Sequence, residues 1–184
     1  MRKSIYLESE NLVIRQATFD DCKYFDMWER KEYIKEFFTI EDTRNYEEIV
    51  EEFFQYEQDS SKIQLTIALK DGMKPIGRIY ISRLDEKLQS LDITRIYIGE
   101  EDFIGKGYGK EAMKLVLKYV FEDLNMERVT LDTFDGNKKA STLYKSLGFI
   151  DEGVLRHATK KNGKFYNLNL KSMLKNEYEK HFLG

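Results

Sequence analysis

Residues 103–112 read Phe103-Ile104-Gly105-Lys106-Gly107-Tyr108-Gly109-Lys110-Glu111-Ala112, and the rest of the chain can be read outward from them. Three glycines at alternate positions let the backbone turn tightly and aim several N–H groups at one point. Behind them Met113, Val116, Leu117, Val120, Phe121 and Leu124 recur at helical spacing, with Asn125 as the stop, so a helix N-terminus backs the loop. Such a loop attracts anions, and a pyrophosphate is its natural occupant. Lys106, Lys110, Lys138, Lys139 and Lys145 add positive charge around it. A glycine-rich loop that merely closes a turn is the plainer explanation of the same residues.

Strand-like runs flank this unit: Leu91 to Ile98 before it and Arg128 to Phe134 after it. Strand, loop, helix and strand in that order form a βαβ unit and imply a locally parallel pair. Asn137 then reads as the N-cap of a short helix with Ala140, Leu143, Tyr144 and Leu147 inward, and Gly148 as its C′ residue. A last hairpin runs from Val154 to Lys161, through Asn162-Gly163, and from Lys164 to Met173.

Upstream, Ser4 to Ala17 reads as a strand or hairpin, and Thr18 with Asp21 as the cap of a helix carrying Tyr24, Phe25 and Trp28. A second helix starts near Thr39 to Thr43, with Tyr46, Ile49, Val50, Phe53 and Phe54 as its stripe and Glu47, Glu48, Glu51 and Glu52 opposite. Ile63 to Leu69, Ile76 to Ile81 and the run to Ile98 alternate with short turns between them, as in an antiparallel meander. The expectation is one α+β (α/β) domain over residues 1–184: a central, mostly antiparallel mixed sheet with helices on both faces.

Composition narrows the class. A chain of 184 residues with 41% hydrophobic, 14% aromatic and 34% charged residues suits a soluble globular domain. Cys22 is the sole cysteine, which rules out an intramolecular disulfide and a multi-thiolate zinc site. No apolar leader follows Met1 and no apolar run is long enough to span a bilayer, so the expected location is cytoplasmic, with no membrane partner. A net charge of −3 is a poor footprint for nucleic acid. The charge is uneven: residues 20–61 hold 14 acidic against 5 basic side chains, and the remainder is net positive.

Lys110 is followed by Glu111 and lacks the glycine spacing of a Walker A loop. Gly107-x-Gly109-x-x-Ala112 does match the dinucleotide fingerprint, with Asp132 roughly where a ribose-binding acid stands, so an NAD(P)-binding oxidoreductase is one alternative. Against it stand the meander and the six residues, 99–104, between the preceding strand and the glycines.

Taken together, Gly105-Lys106-Gly107-Tyr108-Gly109, then Glu111-Ala112, then Asn137, Ala140-Ser141, Tyr144 and Gly148-Phe149 resemble the GNAT superfamily of acetyl-CoA-dependent N-acetyltransferases. The flavour is that of the ribosomal-protein-alanine and spermidine acetyltransferases. The resemblance implies a sheet splayed at its parallel pair, where acetyl-CoA enters. It implies that Gly105, Lys106, Gly107, Tyr108, Gly109 and Lys110 hold the CoA pyrophosphate through main-chain N–H groups. It further implies that the strand at Tyr97 and Ile98 pairs with the pantetheine arm, that Asn137 contacts the cofactor, and that Tyr144 protonates the departing thiolate. Ile104 departs from the polar or tryptophan residue usual at the first loop position.

Acetyl transfer needs a neutral amine, and an alkyl ammonium with pKa near ~10.4 is almost wholly protonated at neutral pH, so a base must take its proton. Asp92, or a carboxylate of the acidic N-terminal helices, is a candidate. Glu29, Glu32, Glu36 and Glu41 are candidates to face a cationic acceptor, although an acidic stripe is also what a solvated helix face looks like. Trp28 and Tyr33 either line the acceptor pocket or belong to the core, and packing or capping alone also explains Tyr144 and Asn137.

His157 and His181 lack metal-ligand spacing, Cys22 lacks a His-Asn context, and Ser141 has no Gly-x-Ser-x-Gly setting. No metal and no acyl-enzyme are therefore expected. The expected activity is direct transfer in a ternary complex to a polyamine, protein N-terminus or other small amine. A non-catalytic acetyl-CoA-binding module is the second alternative. The late hairpin is expected to form an acceptor-site wall or the contact of a homodimer.

Overall fold

The computed structural model describes residues 4–184, and its frame is an eight-stranded sheet. The strands are β1 (Tyr6–Glu8), β2 (Leu12–Gln16), β3 (Ile63–Leu69), β4 (Pro75–Asp85), β5 (Ser90–Ile98), β6 (Arg128–Phe134), β7 (Ile150–Lys161) and β8 (Lys164–Leu174). They lie in the order β1-β2-β3-β4-β5-β6-β8-β7. Among the described residues every neighbouring pair is antiparallel except β5 with β6. A doubly wound dinucleotide-binding sheet would need several parallel units, so this topology removes the oxidoreductase alternative at the level of fold.

The helices are α1 (Cys22–Glu29), α2 (Glu32–Lys35), α3 (Tyr46–Gln58), α4 (Tyr108–Lys118), α5 (Lys138–Ser146) and α6 (Lys175–Phe182). Both faces of the sheet are covered, which is why β3 is buried along nearly its whole length. Ile63, Leu65 and Ile67 pack with Met113, Val116 and Leu117 of α4 in the larger core, joined by Leu147 at the end of α5 and Tyr178 of α6. The opposite core gathers Phe25, Trp28, Ile34, Ile49 and Phe53 under α1 to α3.

Local chemistry sets the element ends. Asn45 caps α3 by accepting from Glu48 N at 3.0 Å, and Glu48 returns the bond, so this helix starts at Tyr46 rather than near Thr39 to Thr43. Thr18 and Asp21 form the expected box, around a 3-10 turn (Phe19–Asp21) that leads into α1. Asn125 and Gly148 take positive φ at the two expected stops, and both turn residues Asn162 and Gly163 are left-handed, as a tight hairpin requires. Beyond α4 the chain continues through a π-helical turn (Tyr119–Asp123). The last hairpin is longer than expected, beginning at Ile150.

The feature that positions the site is the short union of β5 and β6. They pair over Ser90–Asp92 and Arg128–Thr130, then part. A register shift opposite Tyr80 and Ile81 bulges β5 near Thr94, so Leu91 and Ile93 on one side of the bulge and Ile96 and Ile98 on the other all pack with the α4 core.

Candidate active site

Where β5 and β6 diverge, a cleft of about 610 Å³ opens between Ile96–Ile98 and Asp132–Thr133. Its walls include the glycine loop, the start of α5, and the segment at and after α2, through Tyr33, Glu36, Phe37 and Phe38. Gly105 and Gly107 hold φ of 78° and 89°, a region that favours glycine, and Gly107 is the N-cap of α4. The N–H groups of Gly105, Lys106 and Gly107 donate to no carbonyl among the described residues, and those of the first turn of α4 have none available within the helix. A methyl group on Gly105, Gly107 or Gly109 would meet no atom within 4 Å, so the space before these donors is open. An elongated anion fits here, held by main-chain hydrogen bonds and the helix end.

Of the residues expected at the site, Tyr97, Ile98, Gly105, Gly107, Gly109, Lys110, Asn137 and Tyr144 line this cleft. Lys106 and Tyr108 do not: the Lys106 ammonium and the Tyr108 ring both pack toward Phe103, at 5.5 and 5.8 Å between centres. Lys139 lines the cleft beside Lys110, while Lys138 and Lys145 lie outside its walls. Asn137 accepts from Ala140 N at 3.1 Å, capping α5, and its side-chain amide N–H groups are unengaged among the described residues.

Tyr144 is 8% exposed and packs edge-on against Phe149. Its hydroxyl finds no partner among the described residues, yet it is not enclosed, so it opens on the cleft. Burial, and secondarily the Asp132 carboxylate, push this phenol well above its ordinary value and keep it protonated.

The acetyltransferase (GNAT) domain model matches residues 11–150. The chain belongs to the GNAT acetyltransferase family. It is similar to the uncharacterized N-acetyltransferase YoaA of Bacillus subtilis, 26% identical over 92% of this chain and 96% of that one. It is also similar to the putative ribosomal N-acetyltransferase YdaF of Bacillus subtilis, 32% identical over 56% of this chain and 55% of that one. Among solved structures, the spermidine N-acetyltransferase of Vibrio cholerae in complex with CoA and spermine superposes with a TM-score of 0.83. That structure is 21% identical and covers 92% of this chain and 99% of its own.

The four acidic candidates of this N-acetyltransferase separate sharply. Glu29 does not face an acceptor. It is 3% exposed, and its carboxylate meets Arg78 at 2.7 Å, Arg95 at 3.0 Å, Arg44 at 3.1 Å and the Tyr97 hydroxyl at 3.1 Å. Burial alone would raise this carboxyl, but Arg95, Arg78 and Arg44 together hold it below the usual range. Glu52 shares Arg78 and Arg44, and the cluster brings it down to about 2 against the cost of burial.

Glu32 pairs with Lys35 at 2.7 Å, and Glu41 accepts from the Asn162 N–H at 3.0 Å. Glu36 alone of the four lines the cleft. Trp28 is core, with its indole N–H on Glu100 at 2.8 Å, whereas Tyr33 lines the cleft and donates to Gly99 O at 2.6 Å. Cys22 is fully buried, and burial pushes its thiol to about 11, far from a nucleophile's range.

The hairpin tip does not line the cleft. It buttresses the wall that does: Lys161 donates to Lys35 O, and Asn162 to Asp42 at 2.7 Å. No helix among the described residues is long and apolar enough to cross a membrane. Asp132 also lines the cleft, although the sequence reading weighed it only as a ribose-binding acid. Its signal was an acid in a β-rich run, between Leu131 and Thr133.

Proposed function

We propose that this N-acetyltransferase moves the acetyl group of acetyl-CoA to a primary amine, by direct attack in a ternary complex, with residues 1–184 acting as one domain. The observation that carries the reading is that unengaged main-chain donors of the glycine loop and the unpartnered Tyr144 hydroxyl open onto one cleft. In this reading Gly105 to Lys110 hold the pyrophosphate, with Lys106 and Tyr108 contributing main-chain rather than side-chain contacts. Tyr97 and Ile98 offer the free edge of β5 to the pantetheine arm, and Asn137 supplies its side-chain amide. Tyr144 protonates the sulfur as it leaves, a role suited to a phenol held neutral.

The acceptor end is acidic and aromatic, through Glu36, Asp132, Tyr33 and Phe38, which favours a cationic amine such as a polyamine or a protein N-terminus. The spermine in the Vibrio cholerae structure supports the same class. The reading assigns no step to a metal, a nucleic acid or a membrane, and places the enzyme in the cytoplasm. The outer edge strand β7, with Ile150, Val154 and Leu155 exposed, is the proposed homodimer contact.

Thiol release from acetyl-CoA across spermidine, an alanine-starting peptide, an amino acid and an aminoglycoside tests the reading. Tyr144→Phe is expected to lower kcat by about 10²–10⁴-fold while leaving CoA affinity unchanged. Unchanged turnover would remove the acid role.

A further inference from the structure

Two aspartates project from one face of the diverging strands. Leu91 and Ile93 on β5, and Val129 and Leu131 on β6, all enter the α4 core, so Asp92 and Asp132 point to the opposite face. Asp92 stands opposite Thr130 in the last pair of the parallel ladder; Asp132 lies one step beyond, where the cleft begins.

Their partners differ. Asp92 is buried and accepts from Thr94 Oγ1 at 2.8 Å and Thr130 Oγ1 at 2.7 Å. Asp132 is exposed on the cleft wall and makes no hydrogen bond or ion pair among the described residues. Two further side chains of the cleft lining have no hydrogen-bond partner among the described residues: Tyr144, whose hydroxyl opens on the cleft, and Thr133, whose Oγ1 is enclosed. A free carboxylate and a free phenol thus face one space, the first suited to accept a proton and the second to give one.

We propose that Asp132 is the general base of the transfer, taking the proton of the acceptor ammonium while Asp92 behind it sustains the negative field that holds the cation. This assignment rests on the acetyl-transfer reading above. Asp132 removes one proton from the ammonium, and the freed nitrogen pair bonds to the acetyl carbon as the carbon–sulfur bond breaks. Tyr144 gives its proton to the sulfur and recovers one from the newly acylated nitrogen. Asp132 releases its proton to water. The balance is ammonium plus thioester to amide, thiol and one proton.

The surroundings suit the task. Partial desolvation by the protein around the cleft, and then the Asp92 carboxylate, raise the Asp132 carboxyl to about 6, with Arg83 of β4 acting in the opposite direction. Tyr144 faces it from α5, Glu36 lines the cleft on the α2 side, and β8 presents the neutral Leu170 opposite. Such a base is ionised at neutral pH yet more basic than an ordinary aspartate.

The test is kcat/KM against pH for wild type, Asp132→Asn and Asp132→Glu, with acetyl-CoA and spermidine or an alanine-starting peptide, beside CoA affinity by calorimetry and a melting curve for each variant. Wild type should show an ascending limb with a midpoint near about 6. Asp132→Asn should lose that limb and about 10²–10⁴-fold in kcat at neutral pH, with CoA affinity and folding retained. Asp132→Glu should recover part of the rate, and a fluorinated alkylamine already neutral at the assay pH should shrink the Asn defect.

A variant that keeps the limb, a defect confined to KM, or a defect equal for neutral and charged amines would overturn the base assignment while leaving the transferase reading intact. Wild type that binds CoA but releases no thiol with any amine would overturn both.

Discussion

Glu29 and Asp132 lie on the same side of one sheet, the first beneath the helices and the second in the cleft, and they show how the same carboxylate serves two ends. Glu29 is surrounded by three arginines and a tyrosine, so its charge is spent within the fold. Asp132 has no such partner and its charge faces a space a ligand can enter. Removing one member of a buried ion cluster leaves the others uncompensated, whereas removing an unpaired acid relieves the fold. The charge a protein leaves unsatisfied, rather than the charge it concentrates, marks where it meets something else.

The sharpest way to break this contrast is Glu29→Ala. Three arginines would be left with Glu52 as their one carboxylate beneath the helices, and denaturant unfolding should report a loss of about 3–5 kcal/mol. A variant as stable as wild type would mean the cluster contributes little.

The second test is the melting temperature below neutral pH. Glu52 titrates at about 2 in the folded chain against an ordinary 4.5, so the unfolded chain binds more protons in between. Its contribution is complete above that ordinary value and drains away as pH falls toward about 2, and Glu52→Gln should flatten this limb.

Smaller effects sharpen the cleft side. Gly109→Ala should gain up to about 1 kcal/mol of helix stability, because its new methyl meets open space, yet weaken CoA binding by filling that space. Calorimetry and melting on one variant should therefore move in opposite directions. Asp132 behaves as the reverse of Glu52: its pKa rises on folding from 3.8 to about 6, so its contribution is lost as pH climbs through that interval. Asp132→Asn should melt slightly higher than wild type at pH above this window and gain nothing below it.

Features with local causes were legible in the sequence. The alternation of Ile63, Leu65 and Ile67, the Asn162-Gly163 turn, the stops at Asn125 and Gly148 and the loop of Gly105 to Gly109 are each written within a few residues. Tyr144 and Asn137 were legible because α5 carries its own cap and stripe. The four-residue α2 offers too little periodicity to be seen, and α6 was missed although Tyr178 and Phe182 stand at helical spacing. The fate of the acids was not legible. Whether Glu29 meets arginines depends on β4, β5 and the segment before α3 arriving beneath α1. Asp132 gains its meaning from the distant strand that carries Asp92.

The ladder between β5 and β6 closes over three residue pairs and joins five strands on one side to three on the other. The two half-sheets therefore share a weak seam, and whatever seats itself there acts as mortar as well as reactant. Saturation at about a hundredfold over Kd is worth roughly 2.7 kcal/mol to a protein that binds only when folded. Here that gain would concentrate at the seam, so loading the donor should slow amide exchange along β5 and β6.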